Sequence, residues 1–495
     1  MSSLFNTQSG PSRVEGSGIA PWQIGLLAGV SAVAVGLVLA FGGVLAGLAV
    51  LLAAGAGFLV LRHMEAGFWA LIAVICLLPF GTIPIDLGLT PTLLDVALAA
   101  VVGVWVVRLA TGRQRTIITA PVTVPLVALL IIAVFSFIFG LGHAPLTPTL
   151  LRHFAELLLS LAFVLVVIDY VRSWARLERL VKAILYAGAG AAALGIGLWL
   201  LPDDTTNTLL NYLQYVGYPG GWVVRYIEEN PELAERAIAT SVDPNSYGGL
   251  LVLIGALAGP QLVSRRPILS RAKSASIVVL VFVALFLTFS RGAMVGLVAA
   301  LAFVSVVRYR RLIPYLLFAG LLILVLPITQ GYVIRFIEGL QGADLATQMR
   351  FGEYRDAVRL IARYPLFGVG FAASPDIDIY LGVASVYLSI AQQMGLLGLS
   401  AFLIVMFTIF GYAFVHRHFF KAHPRRDSLW LGLHAALAGG LIVGIFDHYL
   451  FNLQFHNTVT FFWLFVGLAV AATRLGSQES ASAADEEVDK AGYPG

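Results

Sequence analysis

Hydrophobic residues fill long continuous runs along the chain, and short polar stretches separate them. Most runs approach the length of about twenty residues that an α-helix needs to cross a bilayer. The pattern predicts an all-α membrane protein with about fourteen transmembrane helices. Their approximate ranges are 22–40, 43–61, 67–81, 93–109, 121–140, 150–170, 180–200, 246–264, 274–289, 292–307, 312–330, 386–415, 429–446 and 457–473.

Two polar interruptions, 201–245 and 331–385, are much longer than the others. Within the second, apolar residues recur at the spacing of one helical face while arginines line another. The apolar positions are Phe351, Tyr354, Val358 and Ile361, and the arginines are Arg355, Arg359 and Arg363. Asp344 suits the start of this helix, and Pro365, Gly368 and Gly370 suit its end. The segment is therefore predicted to be a basic amphipathic helix lying against a membrane.

The composition agrees with a membrane protein, since 59% of residues are hydrophobic and only 12% are charged. We expect a polar cytoplasmic tail over 1–20, a multi-span domain over 21–475 and a disordered, acidic cytoplasmic tail over 476–495. The only cysteine, Cys76, lies in an apolar run and excludes a disulfide within the chain. In a membrane protein the net charge of +4 indicates topology rather than nucleic-acid binding.

An even number of spans puts both termini on the same side. When that side is the cytoplasm, most of the 31 lysines and arginines fall in short cytoplasmic loops, as the positive-inside rule requires. The loops 201–245 and 331–385 then face outward. The outward basic residues are all arginine, which suits either bidentate phosphate binding or anchoring to lipid headgroups. They are Arg152, Arg225, Arg236, Arg291, Arg335, Arg350, Arg355, Arg359 and Arg363.

Arg291 lies in a turn of a few residues between two apolar spans. A charge so close to hydrocarbon is costly unless it meets a partner or water. An anionic ligand is the simplest partner, and snorkelling to the interface is the alternative. Arg236, near the start of the span at 246–264, is predicted to lie on the same side. The two arginines are placed to bracket a diphosphate, although the nearby Asp243-Pro-Asn turn also has a purely structural interpretation.

Some of the other polar residues are interpreted as structural, and others lie in the outer loops. Arg152 and Glu156 are one helical turn apart and are expected to pair, and Asp95 near a span end is read as structural. The last outer loop carries Asp447, His448 and His456. Three polar outer loops thus converge on one face of the membrane, where we expect the functional site.

Three segments together resemble the O-antigen ligase and O-antigen polymerase family of bacterial envelope glycosyltransferases. They are Phe289-Ser-Arg-Gly-Ala293, then Arg350-Phe-Gly-Glu353 leading to Pro365-Leu-Phe-Gly-Val-Gly370, and Tyr387-Leu388 followed by Gly395-Leu-Leu-Gly398. Arg236 with Pro244-Asn245 is a fourth, weaker match. The resemblance covers about 236–470.

This resemblance implies an integral membrane glycosyltransferase of the C-type fold in the bacterial cytoplasmic membrane. Such an enzyme moves a glycan from a polyprenyl diphosphate carrier to a glycan or glycolipid acceptor at the outer face, with membrane lipids around it. No nucleic acid, cofactor or metal is expected. The family's diphosphate-binding role falls on Arg291, Arg236 and Arg350, with Arg355 as a further candidate. The alternative function is a transporter or flippase for a lipid-linked saccharide.

The sequence departs from the family pattern at Ala384-Ser385, where ligases often have His-Asn before the Tyr-Leu pair. Alanine cannot accept the proton of an acceptor hydroxyl. Asp376 and Asp378 are the first candidates for a replacement base, although they are equally readable as solvated loop acids. Glu353 is the second candidate, and His448 or His456 the third.

Overall fold

The structure is a computed structural model that describes residues 55, 60, 62–82, 90–114, 116–326, 330–342, 345–371 and 383–491. The chain divides into two units, Met1–Leu59 and Val60–Gly495. The architecture below is that of the second unit. The predicted spans 22–40 and 43–61 lie almost wholly outside the described residues.

Fifteen helices account for most of the described residues. They are α1 (Met64–Leu77), α2 (Leu93–Ala110), α3 (Thr123–Gly140), α4 (Pro148–Tyr170), α5 (Trp174–Trp199), α6 (Asp203–Tyr212), α7 (Pro244–Val263), α8 (Arg271–Leu287), α9 (Arg291–Val307), α10 (Ile313–Val325), α11 (Gln330–Gln341), α12 (Leu345–Arg363), α13 (Val386–Lys421), α14 (Pro424–Phe446) and α15 (His456–Ala491). The only sheet among these residues is a two-stranded antiparallel ribbon of β1 (Arg225–Tyr226) and β2 (Glu235–Arg236).

Each predicted span from 67–81 onward coincides with a helix, which confirms an all-α polytopic membrane protein. Among the described helices, eight are both long enough and apolar enough to cross a bilayer: α2, α3, α4, α5, α7, α13, α14 and α15. The apolar helices α1 and α9 are shorter. The total of fourteen spans stays a prediction.

Helices α7 and α15 form the interior of the bundle. Their apolar stretches are 83% and 100% buried, whereas that of α2 is 22% buried. Helix α15 packs against α4, α13 and α14, and α7 packs against α8, α9 and α14. The remaining helices therefore surround these two and leave apolar side chains facing outward, as a lipid-exposed bundle requires.

Ion pairs between distant segments fall into two groups that match the predicted sides of the membrane. One group joins segments predicted to be cytoplasmic: Arg179–Glu65, Arg308–Asp427, Arg425–Glu178 and Arg426–Glu479. The other joins segments predicted to face outward: Arg350–Asp447 and His456–Asp95. The chain thus brings together loops that the sequence assigns to the same side, while the identity of each side stays a prediction.

The two long loops carry structure of their own. Segment 201–245 contains α6 and the ribbon of β1 and β2, and segment 331–385 contains most of α11 and all of α12. Helix α12 confirms that the segment is helical, and Phe351 and Val358 are exposed apolar residues on it. Its position against a membrane stays a prediction. Its expected cap, Asp344, lies outside the described residues.

The segment after α12 docks on a break in α13 through main-chain hydrogen bonds. Val369 and Gly370 donate to the carbonyls of Gln392 and Gln393, at 2.9 and 3.0 Å, and Leu396 donates to Pro365 at 2.7 Å. Helix α13 is interrupted at Gly395, whose φ of 67° and ψ of −173° suit glycine. Two motifs of the family resemblance, at 365–370 and 395–398, are therefore in direct contact with each other.

The C-terminal tail corrects one expectation. Helix α15 continues to Ala491, so the part of 476–495 that the structure describes is helical rather than disordered. Alanine and glutamate are good helix formers, and extending an existing helix avoids the cost of nucleating a new one. The sequence predicted the helix 457–473 but ended it at the last apolar residues, so the continuation of the same helix into the polar tail was missed.

Candidate active site

Arg291 is held in place by a rigid turn between α8 and α9. Phe289, within this turn, adopts a left-handed φ of 53°. Ser290 caps α9 by accepting a hydrogen bond from the amide of Ala293, and the Thr288 hydroxyl accepts one from the amide of Ser290 at 3.2 Å. Arg291 is consequently the first residue of a capped helix, with its backbone fixed.

Arg236, which lies on β2, stabilises this turn. Its guanidinium donates to the Thr288 carbonyl and to Asn245 Oδ1, both at 2.8 Å. A cation beside the last carbonyls of α8 also complements the helix dipole. Burial lowers the pKa of Arg236, and nearby Arg350 lowers it further. Arg236 therefore lies beside the arginine site and supports it, and its direct contact with a diphosphate stays a prediction.

A cavity of about 380 Å³ lies between four helices and includes Arg291 and Arg350 in its wall. Helix α9 contributes Arg291, α11 passes behind it, α12 contributes Arg350, and α14 closes another side. The full lining is Arg291, Gly292, Val295, Phe336, Gly339, Thr347, Arg350, Phe351, Tyr354, Ile445 and Phe446. Two guanidinium groups from distant parts of the chain thus share a mostly apolar pocket.

Glycine at position 339 makes room for the Arg291 side chain. A β-carbon added to Gly339 would overlap the Arg291 guanidinium. Helix α11 therefore approaches the arginine with its bare backbone. Gly339 could not be predicted from the sequence, because a single glycine within an amphipathic segment does not indicate which side chain lies against it.

Asp447 joins the last outer loop to Arg350. Its Oδ2 lies 3.7 Å from the Arg350 guanidinium, and its main-chain carbonyl accepts a hydrogen bond from Val386 at 3.1 Å. Asp447 thereby connects the end of α14 with α12 and the start of α13. Its position directly after the apolar run 429–446 was visible in the sequence, but nothing there identified its partner.

Glu353 contacts the main chain of Ala384, the position at which the family resemblance leads us to expect a histidine. Its Oε2 accepts a hydrogen bond from the amide of Ala384 at 2.9 Å, and the neighbouring Tyr354 donates to the Ala384 carbonyl at 2.9 Å. Burial raises the pKa of Glu353, while the hydrogen bond from Ala384 opposes that rise. A carboxyl group therefore lies beside Ala384, and its role as a base stays a prediction.

His448 lies next to this group. Its Nδ1 is 3.7 Å from Asp447 Oδ1 and 3.3 Å from Asn452 Nδ2. An electrostatic interaction with His448 lowers the pKa of Glu353, so the two side chains lie close to each other. His448 remains a candidate for exchanging protons with the site.

The other predicted residues lie elsewhere. Arg355 is exposed on α12 and does not line the cavity. His456 does not line it either, because its ring faces Asp95 and Glu156. Arg152 and Glu156 form the expected ion pair at 3.3 Å. Asp376 and Asp378 lie outside the described residues.

This arrangement provides the elements of a group transfer from a phosphorylated lipid. Fixed guanidinium groups stabilise developing negative charge strongly when water is excluded. Apolar lining residues suit a hydrocarbon chain attached to that charge. A carboxyl group next to the pocket adds a proton acceptor, so an anionic lipid and an alcohol are the ligands that the geometry accommodates best.

Residues 276–403 match a family model described as O-antigen ligase. The matched segment contains Arg291, Arg350, Glu353 and both contacting glycine motifs, whereas Arg236 and Asp447 lie outside it. No curated protein matches the chain. The match supports a multi-pass bacterial membrane protein with an O-antigen ligase-like role in cell-surface polysaccharide synthesis. Residues 276–403 are thus similar to the O-antigen ligase family, and this match supports the resemblance that the sequence motifs indicate.

Proposed function

We propose that this chain is a glycosyltransferase that moves an oligosaccharide from a polyprenyl diphosphate carrier to a glycan or glycolipid acceptor. The reaction takes place at the outer face of the bacterial cytoplasmic membrane. The observation that carries the proposal is the shared pocket of Arg291 and Arg350, which combines two fixed cations with an apolar wall. A lipid that ends in a diphosphate is complementary to this pocket, because its negative charge matches the arginines and its hydrocarbon chain matches the apolar wall.

In the proposed reaction, the acceptor hydroxyl oxygen attacks the anomeric carbon of the carrier-linked sugar. The bond between that carbon and the diphosphate oxygen breaks, and the diphosphate leaves with the bonding electrons. Arg291 and Arg350 stabilise the charge on the departing group. Glu353 accepts the hydroxyl proton. Its carboxyl group is suitably placed, because it is hydrogen-bonded to the Ala384 amide and close enough to Arg350 for the two side chains to interact electrostatically.

A transporter for a lipid-linked saccharide is the less favoured function. Transport requires polar groups along a path through the bilayer. The residues proposed to bind the substrate instead belong to one group of loops at one end of the helices, together with the Arg350–Asp447 pair. The two functions are distinguished by whether a new glycosidic bond forms.

The test uses the full-length protein in proteoliposomes with a polyprenyl-diphosphate-linked oligosaccharide and an acceptor. We expect Arg291→Lys to reduce glycan transfer by about 100-fold, since a point charge does not reproduce the fork of a guanidinium. The matched control is Arg359→Lys on α12, whose side chain is 66% exposed and paired with Asp356 at 3.2 Å. Transfer by Arg291→Lys at the wild-type rate would refute the proposed role.

A further inference from the structure

Three potential metal ligands from three helices meet outside the arginine pocket. Asp95 is at the start of α2, Glu156 is two turns into α4, and His456 is the first residue of α15. One ligand atom from each lies within 4.8 Å of the other two. None of the three lines the cavity that contains Arg291.

Each carboxylate uses one oxygen to fix its orientation and turns the other toward His456. Asp95 Oδ2 accepts a hydrogen bond from the amide of Thr92 at 2.8 Å, and Asp95 Oδ1 lies 3.1 Å from His456 Nδ1. Glu156 Oε1 pairs with Arg152 Nε at 3.3 Å, and Glu156 Oε2 lies 3.9 Å from the same histidine nitrogen. Outer contacts of this kind orient the ligands of metal sites.

Burial of these three polar side chains lowers the stability of the fold unless a shared partner interacts with all three. His456 is 9% exposed and Glu156 is 5% exposed. Neither ring nitrogen of His456 has a hydrogen-bond partner among the described residues, and neither does Asp95 Oδ1. The histidine Nδ1 and the aspartate Oδ1 are close, yet they do not have the geometry of a hydrogen bond. A buried polar atom without a partner costs stability.

We propose that Asp95, Glu156 and His456 bind one divalent transition-metal ion of the Zn²⁺ or Mn²⁺ class. Metal–ligand bonds of about 2.0–2.2 Å place neighbouring tetrahedral ligands about 3.3–3.6 Å apart. The observed separations of 3.1 and 3.9 Å lie on either side of that range, so small side-chain movements complete the site. One imidazole and two carboxylates form a ligand set that suits these ions.

The metal ion would hold α2, α4 and α15 together at the end of the bundle that carries the arginine pocket. Asn452 connects the two regions, because it lines a narrow pocket with Glu156 and His456 and also contacts His448. The ion therefore stabilises the loop that presents Asp447 and His448. Its role is structural, which departs from the metal-free expectation raised by the family resemblance.

A proton on His456 is the competing explanation, because a protonated imidazole also offsets the two carboxylates. The two explanations differ in a measurable way. A metal ion gives a stoichiometric content and a stability that depends on chelation, whereas a proton gives neither.

The experiment purifies the full-length protein in lipid nanodiscs without chelator and measures metal by mass spectrometry. We expect about one Zn²⁺ or Mn²⁺ per chain in the wild type. His456→Gln and Glu156→Gln are expected to lose it. His434→Gln is the matched control, because His434 is also a buried histidine, lies within α14 and is not part of the cluster.

Thermal unfolding then gives a second readout on the same samples. A chelator is expected to lower the unfolding midpoint of the wild type and of His434→Gln, and added Zn²⁺ or Mn²⁺ to restore it, with no such response in His456→Gln. Wild-type protein without bound metal and without a metal-dependent midpoint would overturn the site and favour the shared proton. Equal metal content in His456→Gln and the wild type would overturn it as well.

Discussion

At the scale of single residues, arginine side chains that are chemically identical have different roles in the structure. Arg236 and Arg291 were both predicted to bind diphosphate, and the Arg236 guanidinium also donates hydrogen bonds to Thr288 and Asn245. Arg291 instead lies in the cavity wall with Arg350. The sequence shows which residues are of a type that binds phosphate. The surrounding hydrogen bonds determine whether such an arginine lines the cavity or stabilises the segment beside it.

Gly339 offers a test of how closely Arg291 must be positioned. Gly339→Val should lower glycan transfer at least tenfold, because the new side chain displaces the Arg291 guanidinium from the pocket. The measurement is the transfer rate in proteoliposomes at matched protein amounts. Gly331→Val is the control in the same helix, since nothing lies within 4 Å of a β-carbon at Gly331. Equal rates in the two variants would show that the Gly339 contact is unimportant.

Glu353 gives a prediction about pH. Burial raises the pKa of its carboxyl group, so the group stays protonated to a higher pH than an exposed glutamate. A base must be deprotonated, and the transfer rate should therefore rise with pH through this elevated pKa and then level off.

Glu353→Gln keeps an acceptor for the Ala384 amide but removes the base, so its rate should be low and should lack this rise. The exposed Glu338 on α11 supplies a control, and Glu338→Gln should retain the wild-type pH profile. A full rate and an unchanged profile in Glu353→Gln would exclude this glutamate as the base.

At the scale of elements, hydrophobic runs predicted the helices well and their contacts poorly. Run length and apolarity are local properties, so the spans from 67–81 onward coincide with helices. The docking of 365–370 on the break at Gly395 depends on two backbones that approach each other, and a linear pattern does not contain that information. For the same reason, the sequence did not predict that Asp95, Glu156 and His456 lie close together.

Gly395 provides the test at this scale. Gly395→Ala should destabilise the protein by about 1–3 kcal/mol, because its φ and ψ strain any other residue. The added methyl would also overlap the Leu366 carbonyl. A lower midpoint of thermal unfolding in nanodiscs is the expected result. Gly411→Ala lies in the same helix with open space around it and should be neutral or slightly stabilising; equal midpoints would contradict the account of the break.

At the scale of the whole molecule, the bundle brings three separate segments of the chain together at one end of its helices. The turn before α9, the amphipathic helix α12 and the end of α14 meet around a single cavity. The sequence predicted that the outer loops would converge, because charge bias sorts loops by side. It did not predict the apolar wall from Phe336, Ile445 and Phe446, since lipid-facing and pocket-facing apolar residues look alike in a sequence.

The central claim is that Arg291 and Arg350 hold one diphosphate together, and a double-mutant cycle on lipid binding tests it most directly. The affinity for a polyprenyl diphosphate is measured for the wild type, Arg291→Gln, Arg350→Gln and the double variant. We predict at least a tenfold loss in each single variant and a double loss clearly smaller than their product. Arg291→Gln combined with Arg359→Gln should be additive. Unchanged affinity, or additive losses for Arg291 and Arg350, would contradict the account.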